Sequence, residues 1–155
     1  MIPTGPGRPL LAALLLCTGG AAHAGSALQV VAQDGSVMAA LPFPPASEIC
    51  LEWAHSVTGG AVADCFRNDA GQAFLVRSFL HDSAAGLGEV PGRGVMSAAP
   101  GGGYVITGID EPLPPGGLAL RVGPASVGHT LIGAAGVLDL SALAPNQRVL
   151  LRLVP

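Results

Sequence analysis

No stretch of this sequence sustains the apolar period of an α-helix. Instead, short runs of alternating apolar and polar residues recur, and clusters of glycine, proline, asparagine and aspartate end them. Glycine occupies 23 and proline 14 of the 155 positions, which provides for many chain reversals. This pattern is typical of small β-proteins. The sequence therefore predicts an all-β fold, a single small antiparallel β-sandwich or a partly open barrel.

The alternating runs define the expected strands. Asp34-Gly35 lies between the first two runs and is a strong signal for a hairpin turn. The expected strands are 28–32, 37–41, 49–57, 61–67, 73–80, 104–109, 118–122 and 149–153. A glycine-rich loop is expected over 82–94, and a short helical or turn-like piece over 138–143.

The first residues have the pattern of a secretory signal peptide. Arg8 is the one charge before an apolar run at 10–17, and Ala22-His23-Ala24 supplies the small residues that a signal peptidase accepts. The apolar run is much shorter than the roughly 20 residues that span a bilayer. We expect a signal peptide over 1–24 and one secreted domain over 25–155.

Two other interpretations of the N-terminus remain open. One is a buried N-terminal helix, and the other is a lipoprotein signal that ends at Cys17. Leu16 disfavours the second, because a small residue is usual at that position. Under the preferred interpretation the mature chain is periplasmic or secreted and has no membrane span.

The charged residues exclude two classes of function. All seven basic residues are arginines, so the lysine of a P-loop is missing. Six arginines and ten acidic residues follow the expected signal peptide, which gives the mature chain a net charge of 6 − 10 = −4. Because the arginines form no basic stripe, we expect no nucleic-acid partner.

The central two strands can be aligned if Gly59-Gly60 forms a two-residue turn. That turn places His55 opposite Asp64 and Trp53 opposite Phe66, all on one face of the ribbon. Pairs of this kind are typically worth about 0.2–1 kcal/mol each. A buried His–Asp pair is either a binding or proton-transfer site, or a structural pair that holds the strands in register.

The same alignment separates the two cysteines of the mature chain. It places Cys65 opposite Ala54, so Cys50 lies four residues further along the strand, at about 13 Å. That separation exceeds the roughly 7 Å between Cα atoms that a disulfide allows. We therefore predict that Cys50 and Cys65 do not form a disulfide.

Other chemistry finds little support in the sequence. His55 and Ser56 are adjacent on the expected strand and point to opposite faces, so they cannot form a base–nucleophile pair. The remaining candidate metal ligands, at 81, 82, 89 and 129, match no known spacing. We expect no metal and no cofactor.

The segment Trp53-Ala54-His55-Ser56-Val57 resembles the aromatic-x-His-Ser-Val motif of a secreted family, the domain of unknown function 1850. Asp64 stands where that family usually has a glutamate, and residues 84–88, around Gly86, are similar to its Gly-Ala-Gly-Leu-Pro loop. The similarity continues at 118–122 and 138–141. Members are often encoded beside TRAP transporters of the TAXI type.

The resemblance implies an uncharacterised periplasmic accessory or binding protein of a TRAP-type transport system. Its partners are then TRAP-TAXI components or a small solute, and Trp53, His55, Ser56, Asp64 and Gly86 are its site or motif residues. One alternative is a small hydrolase-like enzyme that uses the His55–Asp64 pair. Another is a purely structural secreted domain. We favour a role in binding without catalysis.

Overall fold

The computed structural model describes residues 25–82 and 91–155. The expected signal peptide and the loop residue Gly86 lie outside this range. The strands are β1 (Ala27–Ala32), β2 (Val37–Pro42), β3 (Glu48–Ala54), β4 (Ala61–Asp69), β5 (Gln72–Leu80), β6 (Val95–Ala98), β7 (Tyr104–Pro112), β8 (Leu118–Arg121), β9 (Thr130–Gly133), β10 (Gly136–Asp139) and β11 (Arg148–Val154); the helix is α1 (Leu140–Leu143). In this part of the chain, no helix has the length and apolar composition that a membrane crossing requires.

The strands form two antiparallel sheets that do not close into a barrel. The smaller sheet has four strands in the order β2-β1-β11-β8. The larger sheet has seven strands in the order β10-β9-β3-β4-β5-β7-β6. The predicted all-β sandwich is therefore confirmed, and the barrel alternative is not.

The core lies between the two sheets, where the alternating apolar residues of both meet. Val30 of β1 and Leu151 of β11 come from the smaller sheet, and Ile49 and Leu51 of β3 come from the larger. Each is at most 3% exposed. Burial of such a side chain is worth about 1.5–3 kcal/mol, so this layer is the main source of stability.

Three local expectations have different outcomes. The Asp34-Gly35 hairpin is confirmed, and Gly35 adopts the positive φ of 86° that its turn requires. The piece expected at 138–143 divides between the end of β10 and α1, whose N-terminus is capped by the Asp139 side chain. Strand β6 was not predicted, because its four residues show little alternation in polarity.

The predicted alignment of the central ribbon is wrong. Trp53 lies opposite Val62, Leu51 opposite Asp64 and Ile49 opposite Phe66, so every pair differs by four residues from the prediction. Strand β3 ends at Ala54, and six residues rather than two connect it to β4.

The predicted absence of a disulfide is also wrong. Cys50 lies directly opposite Cys65, with 4.0 Å between their Cα atoms, and the two form a disulfide with an S–S distance of 2.04 Å. The prediction depended on the alignment above, and it failed with it. The disulfide lies on the outer face of the larger sheet, because the neighbouring residues Ile49 and Leu51 point into the core.

Candidate functional site

The His-Ser-Val motif builds the turn that follows β3. The His55 backbone N–H donates to the Gly60 carbonyl, and the Gly59 N–H donates to the His55 carbonyl, each at 2.8 Å. Inside this loop, the His55 Nδ1 accepts long hydrogen bonds from the N–H groups of Val57 (3.4 Å) and Thr58 (3.3 Å). The imidazole therefore supports the turn from within. The chain reverses over residues 55–60 and not over the two glycines alone.

Trp53, two residues before this turn, packs on a second histidine. Its ring stacks on the His129 ring with 5.7 Å between the centroids and 20° between the planes. Trp53 is half-buried at the end of β3, while His129 lies just before β9, the strand that pairs with β3. The strand pairing therefore brings the two rings together from positions far apart in sequence.

Hydrogen bonds hold His129 in one orientation. Its ring Nδ1 accepts from the Gly123 backbone N–H at 3.0 Å, and the backbone N–H of His129 donates to the Ser141 hydroxyl at 2.9 Å. The Ser141 hydroxyl in turn donates to the Gly123 carbonyl at 2.9 Å. Burial lowers the pKa of His129, so the ring is neutral at pH 7. A neutral ring that accepts at Nδ1 carries its proton on Nε2.

These residues line one cavity of about 360 Å³, here called the motif cavity. The motif cavity is lined by Trp53, His55, Ser56, Arg121, Val122, Gly123, Pro124, Val127, His129 and Asn146. Its walls combine aromatic and apolar surface with hydrogen-bond donors, and none of these lining residues is acidic. This combination suits a small solute that carries hydrogen-bond acceptors, because most small-molecule sites are apolar with a few placed polar groups.

Asp64 lies at a different site. It is three residues beyond Ala61, the first residue of β4, and so about 10 Å along that strand from the motif turn. Its Oδ1 accepts a hydrogen bond from the Ser78 hydroxyl at 2.5 Å. Burial raises the pKa of Asp64, and the bond from Ser78 opposes this effect. Asp64 lines a separate cavity of about 170 Å³.

The predicted His55–Asp64 pair therefore does not form. The partner of Asp64 across the ribbon is Leu51, and the Nδ1 of His55 is engaged in its own turn. The enzyme alternative loses the geometry on which it depended, because a general base must lie within hydrogen-bond reach of its partner. Ser56 is exposed, and within residues 25–82 and 91–155 no hydrogen bond joins it to a histidine.

A larger groove of about 650 Å³ lies on the outer face of the larger sheet, over the disulfide. Cys50 and Cys65 form part of its floor, and Phe79 and Arg77 border it. Arg77 is held there by an ion pair with Glu48 at 2.9 Å. Neither His55 nor Ser56 lines this groove, but Trp53 lines it as well as the motif cavity.

The comparison with family models finds one match. A family model described as Domain of unknown function (DUF1850) matches residues 49–140, which is more than half of the chain. The chain belongs to this family. No curated protein and no solved structure matches it. The DUF1850 match begins in β3 and ends at the first residue of α1, so it contains the motif turn and His129. Asn146, which also lines the motif cavity, lies outside the matched residues.

Several residues that line the motif cavity were not predicted from the sequence. His129 was considered only as a metal ligand, and the described residues contain no group of three or more candidate ligands. Arg121 and Asn146 were not singled out at all. A neighbouring glycine-proline segment, Gly123-Pro124, is the one local signal that could have marked this loop as a binding element.

Proposed function

We propose that this DUF1850 protein is a periplasmic binding module that holds a small solute in the motif cavity and serves a TRAP-type transport system. The observation that carries the proposal is the joint placement of Trp53, His55 and His129 around one cavity. Two imidazole rings, the Trp53 ring and no acidic side chain make a surface for binding rather than for bond cleavage.

The compartment and the partner rest on other support. The N-terminal pattern is that of a leader for secretion. The Cys50–Cys65 disulfide supports the same compartment, because such bonds persist in oxidising surroundings. The connection with a TRAP-type system rests on the resemblance to a family often encoded beside TAXI transporters.

Trp53 provides a direct test of solute binding. It is the one tryptophan of the chain and it lines both the motif cavity and the outer groove, so its fluorescence reports on binding at either, and a variant of the motif cavity distinguishes the two. Titration of the purified protein with a panel of small organic solutes should change the emission of Trp53 for a subset of them. The substitution Val127→Phe, which narrows the cavity, should weaken that binding at least about tenfold.

The matched control is Val57→Phe. Val57 lies in the motif turn but is 85% exposed and does not line the cavity, so its replacement should leave the affinity unchanged. Circular dichroism and thermal melting establish that both variants fold. If no solute alters Trp53 emission, or if both variants lose binding equally, the proposal is wrong and the structural interpretation of the motif gains support.

A further inference from the structure

Two arginines lie directly opposite each other at one end of the smaller sheet. Arg121 of β8 pairs with Arg148 of β11, and the next pair inward is Leu120 with the buried Val149. Arg121 and Arg148 therefore both leave the outer face of the sheet, side by side. Like charges at directly opposite positions destabilise a sheet, so this pair has a cost to folding.

Neither guanidinium has a partner within the described residues. The remaining described arginines are all engaged: Arg67, Arg77 and Arg93 form ion pairs, and Arg152 donates to the Gln29 side chain at 3.1 Å. Arg121 and Arg148 form no ion pair and no hydrogen bond in residues 25–82 and 91–155. Two uncompensated positive charges thus lie together on a chain whose net charge is −3.

The pair borders a cavity of about 470 Å³. The amide side chains of Gln33, Asn146 and Gln147 also line it, and each can donate a hydrogen bond. Its one carboxylate is that of Asp34, whose Oδ1 already accepts from the backbone N–H and the hydroxyl of Ser36, at 2.9 and 2.7 Å. Apart from Asp34, every polar side chain that lines the cavity can donate a hydrogen bond to an anion.

This cavity adjoins the motif cavity. Arg121 and Asn146 line both, so Arg121 lies where the two cavities adjoin. A solute in the motif cavity can therefore extend one end toward Arg148. Planar guanidinium groups bind carboxylate and phosphate oxygens through pairs of parallel hydrogen bonds. These charged hydrogen bonds are stronger than hydrogen bonds between neutral groups.

We propose that Arg121 and Arg148 form an oxyanion clamp, which takes the carboxylate or phosphate end of the solute held in the motif cavity. The identity of the solute as an anion rests on the proposed function, whereas the clamp itself does not. A bound oxyanion also supplies the missing counter-charge for the two opposed arginines.

Two simple anions test the clamp. Calorimetric titrations at low ionic strength use inorganic phosphate in one arm and succinate in the other, which separates the phosphate from the carboxylate source. Either anion should bind the native protein and raise its melting temperature. Arg148→Gln should weaken that binding at least about tenfold, because it removes charged hydrogen bonds. Added salt should weaken the native binding by screening.

Arg152→Gln is the matched control. Arg152 lies on the same strand and the same face and carries the same charge, but it is bonded to Gln29, so its loss should leave anion affinity within about twofold. A second readout needs no ligand. Without anion, Arg148→Gln should raise the melting temperature by about 1–2 °C at low salt, since it relieves the repulsion with Arg121.

The outcomes separate the clamp from the proposed function. Phosphate binding that survives Val127→Phe and fails in Arg148→Gln supports the clamp even if no organic solute enters the motif cavity. Equal loss of binding in Arg148→Gln and Arg152→Gln would mean general charge attraction and would overturn the clamp. Absence of binding of both anions to the native protein would overturn it as well.

Discussion

His55 shows how one side chain can be both a motif residue and a structural one. Its Nδ1 accepts from the backbone of its own turn, and its ring lines the motif cavity. The turn holds the ring in place, so the cavity wall is preorganised before a solute arrives. The partners of the His55 Nδ1 thus come from its own turn, and Asp64 is not among them.

Asp64 leads to a prediction about pH at the scale of one residue. Burial raises its pKa in the folded state, so the folded protein holds this proton to a higher pH than the unfolded chain does. The stability that the protonated carboxyl contributes is present at low pH and is lost as the pH rises from about 4. Asp64→Asn removes that loss and keeps an oxygen for the Ser78 hydroxyl.

We therefore expect Asp64→Asn to be more stable than the native protein at pH 7, with a difference that shrinks toward pH 4. Urea unfolding across this range measures it. Asp34→Asn is the control with the opposite sign, because hydrogen bonds from Ser36 lower the pKa of the exposed Asp34. Its replacement should destabilise the protein at pH 7, and this difference too should vanish on acidification. A native protein that gains stability over Asp64→Asn as the pH rises contradicts the assignment.

At the scale of the element, the β3–β4 ribbon is held by both hydrogen bonds and a covalent bond. The disulfide joins opposite residues whose sequence separation is 15, at the centre of the larger sheet. It closes a loop that contains the motif turn. The Cys50–Cys65 disulfide therefore stabilises both the alignment of β3 with β4 and the turn that lines the motif cavity.

Removal of this bond should lower stability without changing the fold. For a closed loop of about 15 residues, a disulfide contributes about 3 kcal/mol, so the double variant Cys50→Ala, Cys65→Ala should lose about that much free energy of unfolding. Urea denaturation with and without reductant measures the loss. Reductant should bring the native protein down to the double variant and leave the double variant unchanged. Free thiols at Cys50 and Cys65 in the unreduced native protein, detected by mass, would contradict the pairing.

At the scale of the whole molecule, one buried side chain joins the two sheets. Asn68, near the end of β4 in the larger sheet, is fully buried. Its amide nitrogen donates to the Phe43 carbonyl (2.5 Å) and to the Ser26 hydroxyl (3.1 Å), at the open end of the β1–β2 hairpin. Its oxygen accepts from the Gly71 N–H at 2.9 Å.

Asn68→Ala should therefore destabilise the sandwich as a whole. The variant loses three hydrogen bonds of a fully buried side chain, which costs about 3 kcal/mol of unfolding free energy. Thermal and urea unfolding measure the effect. Ser36→Ala, which removes an exposed side-chain hydrogen bond to Asp34, serves as the control and should cost about 0.5 kcal/mol or less. Similar values for the two variants would show that Asn68 does not join the sheets.

Much of the fold follows from local pattern. Apolar alternation identified nearly every long strand, and Asp34-Gly35 identified the first hairpin, because both depend on near neighbours in sequence. The family followed from a short motif for the same reason. The pattern also placed Trp53 and Phe66 on the core face, although not opposite each other, because the period of two fixes the face and not the partner.

Partners across strands were decided by tertiary structure alone. Two glycines suggested a tight turn, but the His55 ring stabilised a longer one, and a shift of four residues keeps every side chain on its face while it changes every partner. That shift brought Cys50 to Cys65 and took Asp64 away from His55. The motif cavity likewise depends on His129 and Arg121, which reach Trp53 and Arg148 only through the pairing of distant strands. Sequence by itself determined the strands and the motif; the packing of the sheets determined which residues share a cavity, because such contacts join segments that no local period relates.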